Sequence, residues 1–219
     1  MSANETQRDQ VRDVILTHAH LDHVAGLPLF LDDLFSVLET PVNIHVTAEI
    51  RDILERDLFN WSLYPRFSEL SNSYGPIVNY IPFEPGVAFD VAHLRVLAAN
   101  VNHRVPSVGF IVSDGRSRVV ITGDTADMDD FWAVVNRAEP PDTLLIECAF
   151  PDELGDIAGV SHHLTPSRLR AELDKFEHRG AAIYAINLKP MYRETIVSQL
   201  EQLGIPELKV LEIGKVYDW

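Results

Sequence analysis

The segment LTHAHLDHVAG, residues 16–26, places three histidines and an aspartate within six positions, directly behind the apolar run Val14-Ile15-Leu16. His18 and His20 are two residues apart, and in extended backbone such side chains project to the same side, so two imidazoles can grip one cation. Asp22 and His23 follow at the turn into the next element and point elsewhere. They form a mixed oxygen and nitrogen pair of the kind that zinc, manganese or iron accepts as a second cation. Gly26 permits close backbone packing at the bend. A lone histidine here would read as a polar surface residue, but H-x-H-x-D-H behind an apolar strand reads as a metal-binding turn.

A site of this kind needs further ligands from other strand ends. The triplet NHR puts His103 in the loop before the run VGFIVS, and TGDT puts Asp124 at the end of RVVIT. Alone, either residue would be an ordinary turn or cap residue. Beside the first motif both read as ligands, and a carboxylate that bridges two cations holds them about 3.5–4 Å apart.

The elements that must position these residues alternate along the chain. VNIHV (42–46), LRVLAA (94–99), VGFIVS (108–113), RVVITG (118–123), TLLIE (143–147), AAIYAI (181–186) and LKVLEI (208–213) are predicted strands. Asp114-Gly115 marks a hairpin turn between two of them. Helical spacing appears at Ile50, Ile53, Leu54 and Leu58, at Leu169, Leu173 and Phe176 behind Thr165-Pro166, and at Ile196, Leu200 and Leu203 with Gly204 as a stop. Interleaved strands and helices predict an α/β or layered αββα architecture. Residues 58–76 are aromatic and turn-rich and read as a long loop or lid, whose Phe59, Trp61 and Tyr64 either form local core or offer faces for a base to stack on.

The 219 residues suit a single domain spanning 1–219. A formal net charge of −15 excludes a polyanion as a natural partner, because binding nucleic acid depends on cationic side chains. No stretch approaches the roughly 18 apolar residues of a membrane span, so the expectation is a soluble chain without a membrane partner. The single cysteine, Cys148, excludes an internal disulfide, and the N-terminus has no apolar signal core. A reducing cytoplasm is the simplest localisation.

In order along the chain, HAHLDHVAGLPLF, LFNWSLYPRFS, VNHRVPSVGFIV, GDT, LIECAFPDEL, HLTP and INLKP resemble the class II 3′,5′-cyclic-nucleotide phosphodiesterases of the metallo-β-lactamase superfamily. H-x-H-x-D-H marks only the superfamily, whereas FNW…YP and HLTP after IEC point to this branch. The resemblance implies an αββα sandwich and hydrolysis of a cyclic nucleotide, cyclic AMP in the first place, to a 5′-nucleotide by a metal-bound hydroxide. It implies two divalent metals, zinc or else manganese or iron. His18, His20 and His103 would hold one, Asp22 and His23 the other, and Asp124 would bridge. Asp22, His163 and Glu147 would serve the chemistry, with His163 beside the scissile phosphate, Glu147 orienting it, and His162 solvated.

The chain departs from that pattern twice. Asn187 stands in INLKP where the family has its last histidine ligand, and an amide oxygen is a poor zinc ligand, so the second metal would be held less firmly. The short polar lead before His18 replaces opening strands and a glycine-rich loop, so an N-terminally incomplete domain is expected, with an open sheet edge that favours a homo-oligomer. The competing readings are a weak or inactive metal-binding homologue and a tRNA 3′-end-processing nuclease. The acidic charge argues against the nuclease.

Overall fold

The structure, a computed structural model, describes residues 10–219. The polar lead over which an incomplete N-terminus was expected therefore lies largely outside the described residues. The chain forms two compact units, Met1–Glu84 and Pro85–Trp219, each with its own sheet and apolar core.

In the first unit β1 (Asp13–Ile15) is followed by α1 (Leu21–Val24), α2 (Gly26–Leu34), β2 (Val42–Val46), α3 (Ala48–Ile53) and β3 (Val78–Pro82). The three strands pair in parallel in the order β1-β2-β3, with Ile15 opposite His45 and Ile44 opposite Tyr80. The run that precedes the histidines is thus a sheet strand, and Leu16 N–H extends it by donating to His45 O at 3.2 Å. Thr47 caps α3 by accepting from the Ile50 N–H. Spacing predicts one helix through Leu58, but the backbone passes into a π-helical turn at Leu54–Leu58. That change buries Leu54, Leu58 and Phe59 in a core with Leu31, Val42, Ile44, Ile50, Phe67 and Ile77.

The aromatic stretch therefore divides. Phe59 is core, 1% exposed, with its ring edge-on to Phe67 at 5.8 Å, and Tyr64 lies against Phe67 at 5.9 Å. Neither is an open stacking face. Trp61 is exposed, and its indole N–H donates to Glu69 Oε2 at 3.1 Å.

The second unit contains β4 (Ala88–Val91), β5 (Leu94–Asn100), β6 (Val108–Ser113), β7 (Arg118–Ile121), α4 (Asp129–Val135), β8 (Thr143–Glu147), α5 (Gly155–Ser161), α6 (Pro166–Leu173), β9 (Ala182–Ile186), α7 (Arg193–Gln202) and β10 (Leu208–Val210). They build a seven-stranded sheet, β10-β9-β8-β7-β6-β5-β4. Strands β7 to β10 run parallel, and β4 to β7 are antiparallel neighbours. Two strands stop short of the C-terminal ends of their apolar runs. β7 ends before Gly123, which turns the chain at φ 65°, and β10 ends ahead of Gly214. The Asp114-Gly115 hairpin is present, with Asp114 Oδ1 accepting from the Arg116 and Ser117 N–H groups at 2.8 Å. The core joins Phe131 and Trp132 of α4 to Leu144, Ile146, Leu164, Leu169 and Ile196, each worth about 1.5–3 kcal/mol relative to exposure.

This topology sets one edge apart. The C-terminal ends of β7, β8 and β9 lie side by side, and antiparallel β6 brings the loop that precedes it to the same edge. Gly109 lets β6 sit there, because a Cβ would lie 2.5 Å from the buried Phe131 ring, 2.7 Å from Ile121 O and 2.9 Å from Thr122 O. The last two are backbone of the segment leading to Asp124. Gly109→Ala should lower the unfolding free energy by about 1–3 kcal/mol or more, the range for overpacking. Urea unfolding that matches the parent within error would contradict this close approach.

Candidate metal centre

In the first unit the ligand-type residues gather around the loop that leaves β1. His18 is fully buried, and its Nδ1 lies 3.0 Å from Thr17 Oγ1. With the Nδ1 proton directed to Thr17, Nε2 is the nitrogen that could bind a cation. The His20 ring stands edge-on to His18 with centroids 4.9 Å apart, and the His23 ring lies 4.1 Å from His18. His20 serves as N-cap of α1 in extended backbone, and its carbonyl accepts from the His23 and Val24 N–H groups. That short helix swings His23 back beside His18. Asp22 occupies the first turn of α1 and is exposed.

In the second unit further ligand-type residues lie along the edge formed by β6 to β9. His103 lies in the β5–β6 loop, and its Nδ1 is 3.0 Å from His162 O. A carbonyl only accepts, so Nδ1 carries the proton and Nε2 is the nitrogen that could bind a cation. Asp124, just beyond β7, is 2% exposed. One ligand atom each from His103, Asp124 and His163 fall within 4.8 Å of one another. Two imidazoles and a carboxylate at that spacing match the donor chemistry of zinc and similar ions.

Glu147 at the end of β8 is fully buried and satisfies both its oxygens. Oε1 accepts from His163 Nδ1 at 2.7 Å and from the Thr125 N–H at 3.0 Å. Oε2 accepts from the Ala149 N–H at 3.0 Å and the Leu164 N–H at 3.3 Å. Burial pushes this carboxyl above the usual range, and the contact with His163 works against that by favouring the ion. His163 is left with Nε2 as its available nitrogen. It is held between Phe150, 5.7 Å away, and His103, 5.1 Å away.

Two features were not legible in the sequence. His162, expected to be solvated, is half-buried and ends α5 in the left-handed region at φ 56°. Its carbonyl fixes His103, and its Nδ1 lies 2.9 Å from Asn102 Oδ1. Its role is thus carried by backbone, which residue type does not advertise. Asn187, also left-handed at φ 58°, donates its amide to Asp124 Oδ1 at 2.7 Å.

Residues 2–183 match the family described as a beta-lactamase superfamily domain. The chain belongs to that superfamily. Among curated superfamily relatives, a probable 3′,5′-cyclic-nucleotide phosphodiesterase of Yersinia pestis is 25% identical over 94% of this chain and 68% of its own length. The 3′,5′-cyclic-nucleotide phosphodiesterase of Aliivibrio fischeri is 30% identical over 78% of this chain, which spans only 54% of that relative. The crystal structure of unliganded yeast PDE1 shares the fold, with a TM-score of 0.80 at 20% identity, covering 95% of this chain and 69% of the yeast chain. The fold is therefore of the metallo-β-lactamase type expected from the motifs, and the family implies divalent metals. No helix among the described residues is long and apolar enough to cross a membrane.

Removing the Glu147 side chain would strand the buried Thr125 and Leu164 N–H groups, each costing about 1–3 kcal/mol, whereas the Ala149 N–H keeps Leu164 O at 3.1 Å. Glu147→Ala should therefore destabilise the chain by at least about 2 kcal/mol in chelator, and Glu147→Gln, which keeps an acceptor oxygen, by less. Equal urea midpoints for the two variants would show that the carboxylate does not organise these loops.

Proposed function

We propose that this chain is a metal-dependent 3′,5′-cyclic-nucleotide phosphodiesterase acting on cyclic AMP or a close analogue and working in the cytoplasm. The observation that carries the reading is the His163–Glu147 pair beside Asp124, with 2.7 Å between Nδ1 and Oε1. It is supported by the order of motifs along the chain and by the names of the relatives.

On this reading His18, His20, Asp22 and His23 from the first unit, and His103 and Asp124 from the second, are ligands of divalent cations, zinc by donor chemistry. Bound cations would supply Lewis-acid charge for the phosphoryl oxygens and acidify a water. The residues of the chain do the rest. Glu147 holds His163 with Nδ1–H toward itself and stabilises the imidazolium, so that Nε2–H can be given to the 3′-oxygen as the P–O3′ bond breaks. The product keeps its phosphate on the 5′-oxygen. Trp61, the exposed ring of the aromatic stretch, is the remaining candidate for stacking on a base. Cyclic nucleotides carry a single negative charge, so the formal −15 of the chain opposes them far less than it opposes a tRNA.

The purified, metal-replete chain should convert cyclic AMP to AMP, and absence of turnover with both cyclic AMP and cyclic GMP would overturn the proposal. Asp124→Ala should lose metal and activity together. His163→Ala should retain metal yet lose about 10²- to 10⁴-fold in turnover, the range for a positioned acid or base. Because His163 belongs to the same donor group as Asp124, loss of metal on that change would make it a ligand instead.

A further inference from the structure

We infer that Asn187 caps Asp124 Oδ1 with its amide and thereby restricts the centre to one firmly held divalent cation. The inference rests on the metal-dependent reading above and fixes what that reading leaves open, the number of ions.

The orientation of the amide follows from chemistry. An ionised carboxylate has no proton to give, so the group facing Asp124 Oδ1 at 2.7 Å is the Asn187 NH₂. Turning the amide over would set its carbonyl oxygen against a carboxylate oxygen, two acceptors in contact. The other oxygen, Oδ2, is the one directed to the His163 side, 4.0 Å from its Nδ1. The two oxygens of Asp124 therefore have different surroundings, Oδ2 toward the His163 imidazole and Oδ1 under the Asn187 amide.

A second cation on Oδ1 would need to approach to about 2.0–2.2 Å. On the Asn187 face of that oxygen it would meet the amide protons, which already supply the positive end of a dipole. The amide thus does for Oδ1 what a cation would do, without charge and without vacancy for one. It is also not a side chain free to swing aside. Asn187 follows β9 at φ 58°, a conformation that asparagine tolerates better than most residues. The flanking backbone is tied down by Cys148 N–H to Ile186 O at 2.9 Å and Lys189 N–H to Ala149 O at 3.2 Å. Asn187 is accordingly a positioning residue that sets the number of ions held, and its carboxamide is not a ligand.

The test is metal binding by the full chain, stripped of metal and titrated with zinc or cobalt by calorimetry, with elemental analysis after gel filtration. Asn187→Gly keeps the left-handed backbone and deletes the amide, and Asn187→Asp keeps the shape but replaces the donor by an acceptor. Circular dichroism confirms that both are folded. The parent should retain about one ion per chain, and Asn187→Asp should retain about two, with cobalt absorption showing a second, distinct site. Asn187→Gly should gain a second ion at least tenfold weaker than in Asn187→Asp. Two equally tight ions in the parent, or the parent's stoichiometry in both variants, would overturn the inference. If the parent holds two ions and hydrolyses cyclic AMP, only the inference falls. If the parent and variants behave as expected but none hydrolyses a cyclic nucleotide, only the functional reading falls. A parent that binds no ion overturns both.

Discussion

A carboxylate removed completely from water must have its oxygens met by donors, and Glu147 meets that demand with three backbone N–H groups and one imidazole. The donors come from the loop after β7, the chain just beyond β8 and the connection from α5 to α6. One buried carboxyl group thus ties together Asp124, adjacent to the Thr125 donor, and His163, adjacent to the Leu164 donor. Burial holds these segments as well, with Thr125, Ala149 and Leu164 fully buried. Their geometry follows from that packing together with the need to solvate the carboxylate internally.

The sheet makes this solution reachable. Parallel strands present the same end at the same edge, and β7, β8 and β9 are consecutive in both sequence and space. Asp124, Glu147 and Asn187 each lie at or just past the end of one of them, so three chain-distant polar groups arrive together. The reversal between β6 and β7 adds His103 from the opposite direction of travel. The left-handed residues His162 and Asn187 sit where the chain must turn sharply to complete the arrangement. A non-glycine residue in that region costs on the order of 1 kcal/mol, offset in each by hydrogen bonds at the turn. Backbone carbonyl and side-chain amide then set which atoms of His103 and Asp124 face outward.

Much of this was legible beforehand. H-x-H-x-D-H behind an apolar run, His103 and Asp124 beside strand ends, and the order of the motifs led to the superfamily and its fold. The strands at 42–46, 108–113 and 143–147 have the ends that their β-branched runs suggest. β3 and β4 were not legible. Each is short or mixed in polarity and becomes a strand only because a neighbour pairs with it. Phe59 shows the converse, since its place in an irregular aromatic stretch resembles that of Trp61, yet one ring is core and the other exposed.

Residue chemistry and spacing by themselves determined which groups can ligate, donate or turn, because imidazole, carboxylate and glycine carry those capacities wherever they stand, and local periodicity reports the elements that hold them. Tertiary structure alone decided which nitrogen of His103 and His163 faces outward, that the His162 carbonyl rather than its ring does the work, and that the Asn187 amide meets Asp124 Oδ1. Those outcomes depend on partners 16 to 63 residues away in the chain. Hydrogen-bond direction is set by what lies across a contact of about 3 Å, and no pattern along a single strand of sequence encodes that.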